Sequence, residues 1–228
     1  MKTFVIGDIH GSFKGLKQCL KRSGFDYDKD KLICLGDTAD GWTETFECFE
    51  ELFKIKNLKY VRGNHDQWLK DWLKKGDRPD VWTLQGGKNT LESYLKEDPR
   101  DWKKHTEFLS KTPFYYIDEK NRCFVHGGVS QKHKPIDECD KMFLCWDREL
   151  WENRHNLKTI KEFEEVYVGH TSIWNISHYP QNFKNVWFLD TGGGWEGKVT
   201  IMDVDTKEFF QSDRSSDLYQ ESKGRKGY

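Results

Sequence analysis

The sequence predicts an α/β sandwich whose second sheet is mixed, and three features point there. Short apolar strands alternate with amphipathic helices over residues 3–61, a mainly helical block spans about 67–112, and the chain from residue 114 to 211 is rich in strands. Strict alternation argues for right-handed parallel crossovers in the first part. The later strands have little helix between them, so some must pair antiparallel.

In order, "TFVIG" (residues 3–7) reads as a buried strand. "SFKGLKQCLKRSG" follows, with Phe13, Leu16, Cys19 and Leu20 at helical spacing and Gly24 as the stop. "KLICL" is a second strand. "TETFECFEELFKI" places Phe46, Phe49 and Phe53 on one helix face, with Thr43 as the expected N-cap. "NLKYV" is a third strand. In the helical block, Trp68, Leu69, Trp72 and Leu73 form a stripe ended by Gly76. "NTLESYLKE" and "DPRDWKKHTEFLSK" supply two more helices, the second with Asp98 as cap and Pro99 at its first position. "FYYID", "RCFVH", "EVYVG", "VWFLD", "GKVTIMDV" and "EFFQS" are the later strands. The expected organisation is one domain over residues 1–212, with the insertion at about 67–112, and a loose polar tail over 213–228.

Composition excludes several classes. With 36% hydrophobic and 33% charged residues and no long apolar run, no membrane span is expected. A net charge of -1 gives no strong nucleic-acid signal. The six cysteines show no CxxC spacing. Reduced buried thiols in a cytoplasmic protein are the expectation.

Five turns after expected strands carry metal-type ligands: "GDIHG" (Asp8, His10), "GDTAD" (Asp37, Asp40), "GNHD" (Asn64, His65), "VHGG" (His126) and "VGHT" (His170). In a parallel sheet such turns gather at the carboxyl edge. Asp8 and His10 are two apart and would point the same way in extended chain. Oxygen ligands mixed with imidazole suit manganese, iron or zinc, and one carboxylate can bridge two ions for phosphoester chemistry. Taken singly, His10, His126 and His170 each read as core histidines; the combination with Asp8, Asp37 and Asn64 favours a site. His105, His133, His155 and His178 lie in polar stretches and are expected at the surface. Trp42, Trp72, Trp82 and Trp195 could wall the cleft, with core packing expected for at least half. "LQGG" (84–87) reads equally as a turn or as a close approach to substrate.

The motifs "GDIHG", "GDTADG", "RGNHD", "HGG", "GHT" and "LDTGG", in this order, resemble the phosphoprotein phosphatase type of calcineurin-like metallophosphoesterases over residues 1–204. The bacterial and phage members similar to bacteriophage lambda protein phosphatase look closest. The resemblance implies a four-layer α/β/β/α sandwich with a helical insertion. It implies two divalent ions, manganese first, with iron or zinc as alternatives. Asp8 and His10 would bind the first ion, Asp37 would bridge, and Asn64, His126 and His170 would bind the second. A bridging hydroxide would attack the phosphate directly. His65 would protonate the leaving oxygen, and Asp40 would hold His65 and raise its pKa. The substrate would be a phosphoprotein, phosphopeptide or small phosphoester.

One position departs from that family. The usual "GDxVDRG" motif has an arginine that grips phosphate; here the position is Gly41. Arg148, in "CWDREL", and Arg62, in "RGNHD", are the remaining candidate substrate contacts. The missing arginine keeps two alternatives open: a phosphodiesterase or nucleotide hydrolase (2′,3′-cyclic nucleotide or dinucleoside polyphosphate), and a catalytically weak phosphate-binding module. Restoring arginine at 41 is expected to favour monoesters over diesters.

Overall fold

The computed structural model describes residues 1–130 and 134–225. Among the described residues ten strands form two five-stranded sheets. The strands are β1 (Thr3–Ile6), β2 (Lys31–Cys34), β3 (Asn57–Tyr60), β4 (Tyr115–Ile117), β5 (Arg122–Val125), β6 (Glu165–Val168), β7 (Gln181–Phe183), β8 (Val186–Phe188), β9 (Thr200–Asp203) and β10 (Phe209–Gln211). The first sheet runs β10-β9-β1-β2-β3, and the second runs β4-β5-β6-β8-β7. β1, β2 and β3 are parallel, as are β5, β6 and β8. In the first sheet β9 runs antiparallel to both β1 and β10 at one side while β3 forms a parallel edge, and in the second β4 and β7 are antiparallel edge strands. Both sheets are therefore mixed, not only the second, because the C-terminal β9–β10 hairpin returns to lie beside β1. β7 was absent from the expected strands; "QNF" carries only one apolar residue.

The helices are α1 (Phe13–Arg22), α2 (Thr45–Leu52), α3 (Asn64–Lys75), α4 (Asp80–Trp82), α5 (Lys88–Tyr94), α6 (Trp102–Lys111), α7 (Lys141–Trp146), α8 (Glu149–Glu152) and α9 (Ser215–Leu218). Strand periodicity sorts the side chains into layers. Val5, Ile33, Val61, Phe124, Tyr167 and Leu189 meet between the sheets. Phe4, Ile6, Leu32 and Cys34 face outward, under Leu16, Cys19, Phe49 and Leu69 of the helices. Cys123, Val125, Val166 and Val168 face the other way, under Leu144 and Leu150. The result is the four-layer α/β/β/α order.

Three local expectations are corrected. α2 is preceded by Glu44, not capped by Thr43, and no side-chain cap bond forms there. α6 starts at Trp102, because the Asp98 carboxylate is spent on the Arg100 backbone N–H in a tight turn. His105 is fully buried: its ring meets the Tyr94 hydroxyl at 2.7 Å and the Glu50 carboxylate at 2.9 Å. Its polar sequence neighbours face out while it faces in. His155 and His178 are exposed as expected, and His133 lies outside the described residues.

The tail is also corrected. Residues 213–225 fold back across the domain. Ser215 N–H donates to Gly197 O (2.7 Å), and Tyr219 stacks on Trp42 with centroids 5.1 Å apart. The Tyr219 hydroxyl accepts from Lys14 N–H (2.9 Å) and donates to Glu44. One aromatic ring and its hydroxyl anchor a segment whose composition is otherwise polar.

Helix α2 supplies a pH-dependent element of stability. The Glu51 side chain is buried, and it accepts from Lys17 (2.7 Å), Lys54 (2.6 Å) and Tyr27 (2.5 Å). Burial opposes its charge, but those three bonds hold the carboxyl down to about 2, against an ordinary 4.5. A depressed carboxyl stabilises the fold above its unfolded value and loses that contribution as pH falls toward its folded value. Glu51→Gln should therefore lower the melting temperature at pH 7, and the gap to wild type should narrow between pH 4.5 and pH 3. Melts recorded over that range check it.

Candidate active site

The carboxyl ends of β1, β2, β3, β5, β6 and β8 meet at one edge of the sandwich. The loops leaving them carry Asp8 and His10, Asp37 and Asp40, Asn64 and His65, His126, His170 and Asp190, all of them buried. Asp37 is at the centre. Its Oδ2 lies 3.1 Å from His126 Nε2 and 3.8 Å from His10 Nε2, while its Oδ1 accepts the His65 backbone N–H at 2.9 Å. Asp8 Oδ2 is 3.7 Å from His10 Nε2, and Asn64 Oδ1 is 3.1 Å from His126 Nε2. Two groups of donor atoms converge within 4.8 Å: Asp37 with His10 and His65, and Asp37 with His126 and His170. Asp37 belongs to both.

The backbone is bent hard to achieve this. His10, Asp37, Asp40 and His170 all have left-handed φ, at 50°, 47°, 69° and 63°. Each such non-glycine residue costs of order 1–3 kcal/mol and persists only where the surroundings enforce it. His10 takes its left-handed turn two residues after Asp8, and the two side chains end 3.7 Å apart. At Gly63 a Cβ would overlap Asp37 Oδ1, so only glycine lets the third loop approach the shared carboxylate.

Asp66 ties the second and third loops together. Its carboxylate accepts backbone N–H groups from Asp37 (2.8 Å), Thr38 (3.1 Å), Ala39 (3.2 Å) and Gly63 (3.1 Å), and the Tyr60 hydroxyl (2.9 Å). Sequence reasoning gave Asp66 no role, although it ends the quoted "GNHD". Asp190, of the "LDTGG" motif, accepts Gly192 N–H at 2.9 Å in the loop beside Asp8.

The donors suit divalent cations. His10 Nδ1 donates to Ala39 O (2.9 Å), His126 Nδ1 to Leu35 O (2.8 Å) and His170 Nε2 to Trp146 O (3.2 Å). Each ring thus has one nitrogen tied to a carbonyl and the other turned toward the donor groups, the usual arrangement of ligating histidines. Burial pushes His10 down to about 3, with Arg225 adding to it, and pushes His170 down to about 2. Both rings are neutral, as ligands must be. Burial lowers His126, but Asp37, Asp8 and the Leu35 carbonyl together raise it to about 9. Burial, then Asp190, pushes Asp8 well above the carboxylate range. Among the described residues Asp8, Asp37 and Asp40 form ion pairs with histidines only, and such buried carboxylates are what a metal cation would neutralise.

His65 and Asp40 meet as expected, with Nδ1 2.6 Å from Oδ2. The expected sign of the pKa shift is reversed. Both groups are fully buried, and burial drives His65 well below its ordinary value, reinforced by Arg225; burial likewise pushes Asp40 well up. A neutral pair sharing one proton is favoured over an ion pair. Asp40 is fixed by Trp82 Nε1, which donates to both oxygens (2.9 and 2.8 Å), and by the Thr90 hydroxyl (2.8 Å). Trp82 is thus no cleft wall; it is buried and orients Asp40. Trp82→Phe should lower kcat by about 10–100-fold, the usual effect of losing such an orienting partner, with metal content unchanged. Saturation kinetics and metal analysis of the variant check this.

The two candidate arginines separate. Arg148 Nη1 donates to His170 O (3.2 Å) and Thr171 Oγ1 (3.0 Å) beside the site. It lines a cavity of about 480 Å³ with His170, Trp174, Trp195 and Arg225. Arg62 is not at the site. Its guanidinium donates to Leu109 O (2.5 Å), Thr112 O (2.8 Å) and Gln67 Oε1 (3.0 Å), and it covers the Phe114 ring. It pins the end of α6, away from the donor groups, and its buried Nε has no hydrogen-bond partner. Arg225, overlooked in the polar tail, reaches the site: its Nη1 is 3.1 Å from His10 Nε2.

A carboxylate shared by two donor groups, at the strand ends of paired sheets, is the arrangement of a metal-dependent phosphoester hydrolase. Comparison with known proteins agrees. Residues 1–205 match the family model described as calcineurin-like phosphoesterase, and the chain belongs to that family. It is 25% identical over 206 residues to serine/threonine-protein phosphatase 1 of Salmonella typhimurium, covering 87% of this chain and 89% of that protein. It is 31% identical over 286 aligned positions to the symmetrical bis(5'-nucleosyl)-tetraphosphatase of Pseudomonas fluorescens, covering 96% of each. The crystal structure of a metallophosphoesterase from Sphaerobacter thermophilus superposes with a TM-score of 0.59 at 16% identity, over 97% of this chain and 94% of that one. The chain is a metal-dependent phosphoesterase. Among the described residues no helix is long and apolar enough to cross a membrane.

Proposed function

We propose that the protein is a phosphomonoesterase of the serine/threonine protein phosphatase type, working with two divalent ions, manganese first, in a reducing cytoplasm that suits its free thiols. The observation that carries this reading is Asp37, common to both donor groups and in contact with His65. Asp8, His10 and Asp37 would hold one ion; Asp37, Asn64, His126 and His170 would hold the other. When bound, the ions supply an acidified water as nucleophile and neutralise charge on the phosphoryl oxygens.

The chain's own groups handle the proton and the anion. With the shared proton on Asp40, His65 Nδ1 accepts it as a hydrogen bond and Nε2 carries N–H. That N–H donates its proton to the leaving oxygen as the P–O bond breaks, and the proton from Asp40 moves onto Nδ1. Arg148, held by His170 O, would orient the phosphoryl oxygens from the cavity side. A panel of phosphopeptides, nucleotides and diesters on manganese-reconstituted protein tests the reading. Phosphopeptides should be turned over fastest; diesters turned over faster than every monoester would overturn it.

A second reading is dinucleoside polyphosphate hydrolysis. The identity to the bis(5'-nucleosyl)-tetraphosphatase, 31% over 96% of the chain, favours it, and so does a cavity with two tryptophans able to stack on bases. The nucleotide arm of the same panel decides between the two.

A further inference from the structure

The resemblance left a gap at residue 41, and the structure shows what fills it. Gly41 has φ +98°, and a Cβ there would stand 2.9 Å from His10 O and 3.2 Å from Arg225 Cγ. The space beside Gly41 holds the side chain of Arg225, which lies 184 positions later (225 − 41). Gly86 of the insertion packs against the same two residues: its O accepts Gly41 N–H (3.3 Å), and a Cβ on it would also meet Arg225 Cγ at 3.2 Å. Restoring an arginine at 41 is therefore obstructed by backbone strain and by an occupied space. Gly41→Arg is accordingly not expected to favour monoesters over diesters.

Residues 213–225 are built to deliver this side chain. Tyr219 and Gly224 both pack on Trp42, the residue after Gly41. Trp42 Nε1 donates to Gly193 O (2.7 Å), and Arg225 N–H donates to the next carbonyl, Gly194 O (3.0 Å). The guanidinium lies over the Trp195 ring at 4.9 Å, and its Nη2 donates weakly to Gln85 Oε1 (3.4 Å). No carboxylate among the described residues pairs with it, and its buried Nε has no hydrogen-bond partner. A half-buried cation with spare donors, aimed at a site for anions, lacks its counter-ion.

We propose that Arg225 is a substrate-binding residue of this phosphoesterase: its guanidinium, brought in by the C-terminal segment, grips the phosphoryl oxygens from the side left open by Gly41. The inference rests on the phosphoester reading above. In the structure the guanidinium leans on His10 Nε2, an atom also assigned to metal. Two cations do not share that lone pair, so with metal bound the side chain's acceptor is the incoming anion. Arg225 and Arg148 line the same cavity, so both guanidinium groups are available to one phosphoryl group there.

The test uses the full chain loaded with manganese and inorganic phosphate as probe, by calorimetry. Arg225→Ala should weaken phosphate binding by roughly 10–100-fold, the usual effect of one lost charge-assisted bond, with manganese stoichiometry and melting temperature unchanged. Arg225→Lys should recover part of the affinity, and free guanidinium added to the alanine variant should recover more. A dianionic monoester should lose more kcat/KM than a monoanionic diester, which a merely structural contact would not cause. Unchanged phosphate affinity in Arg225→Ala overturns the proposal. So does tighter manganese binding with faster turnover, which would make the guanidinium a plug on His10. If the wild-type protein binds manganese but no phosphate, the phosphoester reading falls with it.

Discussion

Asp37→Asn is expected to abolish turnover of an aryl phosphate and to reduce bound manganese from two ions per chain to one or none. Asp37 is the one side chain common to both donor groups, 3.1 Å from His126 and 3.8 Å from His10. Asparagine keeps the shape and can still accept the His65 N–H, so the fold should survive, as circular dichroism would show. It removes the charge that draws two cations together and turns one ligand oxygen into an N–H₂ donor. His126→Ala should behave likewise at the second ion. Near wild-type rates for both variants, on fully metallated protein, would remove Asp37 and His126 from the scheme.

His65→Ala tests the proton donor, and its effect depends on the substrate. A phosphoserine peptide departs as an alkoxide and needs a proton as its bond breaks. Loss of a positioned acid should cost it about 10²–10⁴-fold in kcat. A nitrophenyl ester leaves as a stable phenolate and should lose far less. Manganese content should stay the same. An equal loss on both substrates would mean that His65 serves metal binding or packing instead. Its membership of a donor group with Asp37 and His10 makes that outcome a real alternative.

The parts of the site legible in the sequence are those written locally. Asp8, His10, Asp37, Asn64, His126 and His170 each follow a short apolar strand, and parallel strands carry their ends to one edge. The supports were illegible because they arrive from far away. Trp82 reaches Asp40 across 42 positions and Thr90 across 50. Arg225 reaches His10 across 215. A tryptophan in a helical block and an arginine in a polar tail carry no local mark of their destination. The sign of the His65 shift was missed for a related reason: a sequence shows the partner carboxylate but not the depth of burial that outweighs it. His105 was placed at the surface by its neighbours, and the fold put it inside.

The four left-handed residues, His10, Asp37, Asp40 and His170, set the protein's usefulness against its heat tolerance. Glycine at any of them would relax the chain and destroy the chemistry in the same stroke. A laboratory screen that rewards survival on heating alone would therefore drift toward hardy, inert descendants. Selection for robustness in this scaffold has to be coupled to catalysis at every round, or the strain that shapes the site will be the first thing discarded.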